Sequence, residues 1–152
     1  MEGGFRLSEK VGRSSSLFSD EGFKMLFFTS PHPIGIVTAA RGEFVAVNPA
    51  HEAMFGYRQE ELIGRTVGEL NMWVSPDERD KALQLLEAQG GTGRFGAPVR
   101  TRDGKILITE VSMGFVAING EPCLITTFTD VTELRWLRSE VARFKHLTQE
   151  TD

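Results

Sequence analysis

The residues best able to bind a metal or attack a substrate are three histidines and one cysteine, Cys123, and they lie far apart in the chain. No two stand at the helical or hairpin spacing that would converge ligands on one ion, so no metal site is expected. A single cysteine also excludes an internal disulfide and any multi-thiolate site, and makes a reducing cytoplasm the simplest location. There is no Ser-His-Asp arrangement. Gly90-Gly91-Thr92-Gly93 lacks the Lys and the Ser/Thr that complete a phosphate loop, so it reads as a flexible connector. These patterns point away from catalysis, and the expectation is a protein that is not an enzyme.

Bulk properties narrow the class. The 152 residues can bury one real core. A formal net charge of -4 argues against direct nucleic-acid binding, which needs a positive field. No run of 18 or more apolar residues is present to span a membrane, and the first residues lack the apolar stretch of a signal peptide. Eleven Phe against one Tyr indicate an interior with few polar handles.

The elements that must carry any function follow from local patterns. Residues 1–17 mix Gly, Ser and charge without period and read as a flexible leader. Residues 18–30 form a cap helix: Ser19, Asp20 and Glu21 supply its start, and Pro31-His32-Pro33 stops it. Strands are expected at Ile34–Ala39 and Glu43–Val47, joined at Arg41-Gly42. Asn48 caps the next helix and Pro49 opens it, Gly56 and Gly64 end two short helices, and Ser75-Pro76-Asp77-Glu78 starts a longer one through Ala88. Strands follow at Arg94–Thr101, Lys105–Val116 and Pro122–Thr129. Asp103-Gly104 and Asn119-Gly120 read as type I′ hairpin turns. After Asp130 the period changes. Leu134, Leu137, Val141 and Phe144 form a helical seam that needs a partner or a continuation. The expected architecture is α+β, a five-stranded antiparallel sheet with small helices over one face, with a core at residues 31–130 and a signalling helix at 131–152.

The stretch from Val47 to Arg65, with Asn48-Pro49-Ala50, Phe55-Gly56-Tyr57 and Glu61-Leu62-Ile63-Gly64, closely resembles the signature of the PAS family. Thr101-Arg102-Asp103-Gly104-Lys105 resembles the family's charged hairpin, and Asp130-Val131-Thr132-Glu133-Leu134 its exit motif. The resemblance implies strand order 2-1-5-4-3. It also implies a sensory or dimerisation module linked to an output domain such as a kinase, cyclase, phosphodiesterase or transcription regulator, as in bacterial-type signal transduction. Asp130 and Thr132 would then couple the sheet to the outgoing helix. The photoreceptor branch of the family places a reactive cysteine just after Gly-Arg; here Gly64-Arg65 is followed by Thr66-Val67-Gly68. That branch carries a flavin-contacting Gln on the last strand, where this chain has Phe128. Oxygen-sensing members use a histidine on the long helix, and residues 76–88 contain none. His51, on a small helix, reads as a surface or capping residue. The cofactor is left open, with none favoured and a flavin bound without an adduct, or a haem, as the lesser alternatives.

Met54, Phe55, Leu70, Met72, Trp73, Leu83, Val111, Met113 and Phe128 are expected between helices and sheet. They either fill that space, the default for a close-packed interior, or leave a pocket for a small apolar or aromatic ligand gated by Met72 and Trp73. A homodimer is expected through the two terminal helices, with Phe23, Leu26 and Phe27 on the first and Leu134, Leu137, Val141 and Phe144 on the last. One sheet face cannot cover both helices.

Overall fold

A computed structural model describes residues 20–150, with side chains to residue 146. The expected leader at 1–17, Ser19, and the last two residues of the signalling helix lie outside the described residues. The order is α1 (Asp20–Thr29), β1 (Ile34–Thr38), β2 (Phe44–Val47), α2 (Pro49–Phe55), α3 (Gln59–Leu62), α4 (Asp77–Ala88), β3 (Thr92–Arg100), β4 (Ile106–Ile118), β5 (Glu121–Asp130) and α5 (Thr132–Glu150). The five strands form one antiparallel sheet in the order β2-β1-β5-β4-β3. The sheet and its order are those anticipated.

Alternation along β4 explains how two layers form. Leu107, Val111 and Met113 are buried on the inner face, where α2, α3, α4 and the segment between α3 and α4 cover the sheet. Phe44, Phe55, Leu62, Leu86, Leu124 and Phe128 complete this core. The outer face carries a smaller cluster of Phe27, Ile36 and Cys123, backed by Ile34, Val116 and Ile125. Full burial of a side chain such as Phe55 contributes roughly 1.5–3 kcal/mol, so the inner core supplies most of the apolar stabilisation.

Two local expectations require correction. The glycine-rich run is not all connector: Thr92 and Gly93 pair with Gly114 and Met113 as the first residues of β3. The ladder extends there because β4 is long enough to offer partners. Asp103-Gly104 is not a type I′ turn, since Gly104 alone of the two has positive φ; Gly104 N–H bonds Thr101 O and Thr101 N–H bonds Lys105 O. Asn119-Gly120 does have both φ values positive, 51° and 79°, as that turn demands. The longer helix does start where Ser75-Pro76-Asp77-Glu78 indicates, at Asp77 after Pro76 and without a side-chain cap.

The charged hairpin has a structural partner. Arg102 N–H donates to Phe55 O at 2.8 Å, its guanidinium donates to Glu61 at 2.6 Å and it lies 5.5 Å from the centre of the Tyr57 ring. The hairpin between β3 and β4 is thereby fastened to the end of α2 and the start of α3. Glu61 is held below the usual carboxylate range, first by the Arg58 N–H and then by Arg102.

Candidate functional site: a core cavity and a helix junction

Two places combine polar groups with unusual surroundings. The first is built around α2. Asn48 is fully buried, and all four hydrogen-bonding positions of its amide are used. Oδ1 accepts from Ile34 N at 2.8 Å and His51 N at 3.0 Å; Nδ2 donates to Phe27 O at 3.1 Å and His32 O at 2.8 Å. Asn48 is thus more than the helix cap read from sequence, because it also ties α1 and β1 to α2.

One turn on, the expectation for His51 fails. It is neither exposed nor a cap, since only 1% of it is accessible. Its ring packs against Phe55 and sits over Gly35 of β1, where a Cβ would stand 3.2 Å from Nε2. Its Nδ1 has no hydrogen-bond partner, the one such buried side-chain atom among the described residues. Burial alone pulls its pKa from 6.5 to about 3, because charging an imidazole in an apolar site is costly.

Beside His51 lies a cavity of about 40 Å³. Of the nine residues expected to converge there, Phe55, Met72, Trp73, Leu83, Met113 and Phe128 line it. Met54 and Leu70 do not: they pack half-buried on the core away from the space. Val111 is buried beneath it within the sheet layer and does not line it either. Sequence reasoning missed His51, Gly35, Thr126 and Arg79, which all do. Arg79 reaches across from α4 to donate to Ala39 O at 2.7 Å. The available signal was the i, i+4 pair His51 and Phe55, which shares one helix face.

The cavity is far smaller than the roughly 300–1,000 Å³ typical of ligand pockets. Val67 lines it near the position expected for a photoactive thiol. Cys123 lies on the opposite face of the sheet, in the outer cluster with Phe27. Burial, and then Glu121, push that thiol's pKa up.

The second place is the root of α5. The ladder between β4 and β5 ends at the pair Thr109 and Asp130, so Ile108 needs other partners for its backbone. Val131 N–H donates to Ile108 O at 2.8 Å, and Ile108 N–H donates to Thr132 Oγ1 at 2.9 Å. Asp130 Oδ1 accepts from Thr132 N at 3.0 Å and from Thr132 Oγ1 at 2.6 Å. Asp130 and Thr132 therefore couple the first turn of the helix to a central strand. Beyond that turn α5 exposes its seam: Leu137 is 46% accessible, Val141 53% and Phe144 71%. On α1, Phe23 and Leu26 are exposed, but Phe27 is not available to a partner, because it is buried in its own outer cluster.

With these geometries established, the chain can be placed among known proteins. Residues 31–133 match the PAS domain family. The chain is a PAS domain. No curated protein matches it. Among solved structures it is similar to a domain of a sensory box sensor histidine kinase/response regulator from Geobacter sulfurreducens. That likeness has 25% identity and TM-score 0.60, over 76% of this chain and 96% of the other. A PAS domain from a two-component sensor histidine kinase matches with 20% identity and TM-score 0.60, over 76% and 98%. An RNA-binding light-oxygen-voltage receptor matches 90% of this chain with 18% identity and TM-score 0.69. This chain spans 39% of that receptor's length, and the likeness is one of fold. Membership of the family makes this PAS domain a sensory or signalling module. Among the described residues no helix is long and apolar enough to cross a membrane.

Proposed function

We propose that this PAS domain acts as a non-enzymatic cytoplasmic relay. It pairs with a second copy and transmits a conformational change in its sheet through α5 to a linked output domain of the kinase, cyclase, phosphodiesterase or transcription-regulator kind. The observation that carries this reading is the junction at Ile108 of β4, against which Asp130 and Thr132 hold the first turn of α5 as it leaves β5. The exposed seam beyond it supports pairing. Leu134, Leu137, Val141 and Phe144 recur at helical spacing, and such a contiguous apolar stripe is rarely left to solvent. Phe23 and Leu26 of α1, with Met25 and Phe28, offer further apolar surface for the same purpose. Light scattering at micromolar concentration tests the pairing. A dimeric mass is expected, falling to the monomer on the double substitution Leu137→Glu and Val141→Glu. A monomeric mass in the unaltered chain contradicts it.

A second reading, as a sensor of a small apolar molecule, is favoured by the cavity beside His51. Neutral imidazole in an apolar wall suits an uncharged ligand of a few heavy atoms. Native mass spectrometry of the purified chain tests this. A retained mass increment lost in a cavity-filling Val67→Leu variant supports it, and a bare chain mass contradicts it.

A further inference from the structure

A second concavity, larger than the core cavity, lies on the other face of the sheet. A groove of about 280 Å³ runs between the first two turns of α5 and the outer face of β3 and β4. Its floor carries Arg94, Gly96 and Glu110, and its wall carries Leu134, Arg135 and Arg138. Arg94 pairs with Glu110. Among the described residues Arg135 and Arg138 have no carboxylate partner. Three guanidiniums thus share one groove with one carboxylate, in a chain of formal net charge -4. Like charges so placed repel unless an anion joins them.

Gly96 supplies an independent observation. It lies inside β3, paired with Glu110, and its φ is not positive, so no turn requires glycine there. Glycine within a strand weakens it and marks a place where another group approaches closely. Here a Cβ at residue 96 would stand 3.2 Å from Arg135 Nη2. The missing side chain leaves room for the guanidinium to lie over the strand and opens the groove.

We propose that this groove binds a compact oxyanion carrying two negative charges, a phosphate monoester or a dicarboxylate, held by the donor forks of Arg135 and Arg138 on the helix and Arg94 on the sheet. Arginine is suited to both chemistries because its planar N–H pairs match carboxylate and phosphate oxygens. An anion bridging α5 to β3 clamps the helix against the sheet one turn beyond the Ile108 junction. The site thereby gives the module a chemical input separate from the core cavity, and it does not depend on pairing between copies.

The test is a titration of the whole chain with inorganic phosphate and, separately, with malonate, at ionic strength held constant by sodium chloride. Backbone and arginine Nε nuclear magnetic resonances of residues 131–138 report binding. A saturable shift confined to that segment and to residues 94–96 is expected. Tighter phosphate binding identifies a phosphate ester as the ligand class, and tighter malonate binding a dicarboxylate. The double substitution Arg135→Gln and Arg138→Gln should weaken binding by about tenfold or more, as expected for lost hydrogen bonds to a charged group. Arg143→Gln, further along α5, should change it little. Unchanged resonances outside 94–96 and 131–138 verify that the variants are folded. Shifts that merely follow chloride, or equal affinity in the double variant, overturn the proposal.

Discussion

Asn48, the cap of α2, and His51, in its first turn, lie three residues apart and are both hidden from solvent, yet one is fully bonded and the other is not. Asn48 faces the place where α1, β1 and α2 meet, and backbone groups there match its amide. His51 faces the apolar cavity, where nothing matches Nδ1. The contrast separates two kinds of buried polarity. The first closes the scaffold, because each bond ties down a different segment. The second leaves a destabilised spot in the interior, of the sort that functional sites retain and scaffolds eliminate.

The largest effect should come from breaking the bonded member. Asn48→Ala orphans two amide donors and two carbonyls, and at about 1–3 kcal/mol for each unsatisfied buried group the loss should be at least about 3 kcal/mol. Asn48→Asp sharpens the point. As caps, Asn and Asp are nearly equivalent, so a residue that only capped α2 would tolerate the change. Because Asp cannot donate to Phe27 O and His32 O, chemical denaturation should show it to be almost as damaging as Ala. A near-neutral Asp variant would reduce Asn48 to a cap.

The unbonded member should appear in the pH dependence. His51 titrates near 6.5 when unfolded and at about 3 when folded. Between those values the unfolded chain holds a proton that the native chain lacks. Its contribution to stability is therefore intact above pH 6.5 and is lost as pH falls, by about 1.4 kcal/mol per pH unit. From pH 6.5 to 5 the unaltered chain should lose roughly 2 kcal/mol more than His51→Gln does. Parallel stability curves for the two would show that His51 is solvated.

How much of this was legible depends on the range of the cause. The strands and their order followed from alternation within each strand, as in Leu107, Val111 and Met113, and from the family motifs. The α2 cap followed from Asn48-Pro49 alone. The partners of Asn48 at Phe27 and His32 are 21 and 16 residues away, and nothing in the local pattern announces them. His51 was misread for the same reason: its burial depends on Gly35, a residue of another strand that leaves space for the ring. Asp103-Gly104 was misread because the dipeptide suits two turn types that differ in the φ of residue 103. Phe27 was assigned to a dimer surface because all the phenylalanines of α1 look alike in sequence, while only its position over Ile36 and Cys123 buries it.

The central claim, that α5 is steered by its root, is tested most directly by hydrogen exchange on Asp130→Ala. Loss of a capping carboxylate costs about 0.5–2 kcal/mol, the smallest effect considered and a local one. Exchange should accelerate in residues 131–136, by roughly two- to thirtyfold, while the amides of β1, β4 and β5 keep their protection. Uniform acceleration across the sheet would contradict the account, because Asp130 would then support the whole fold and not the helix junction.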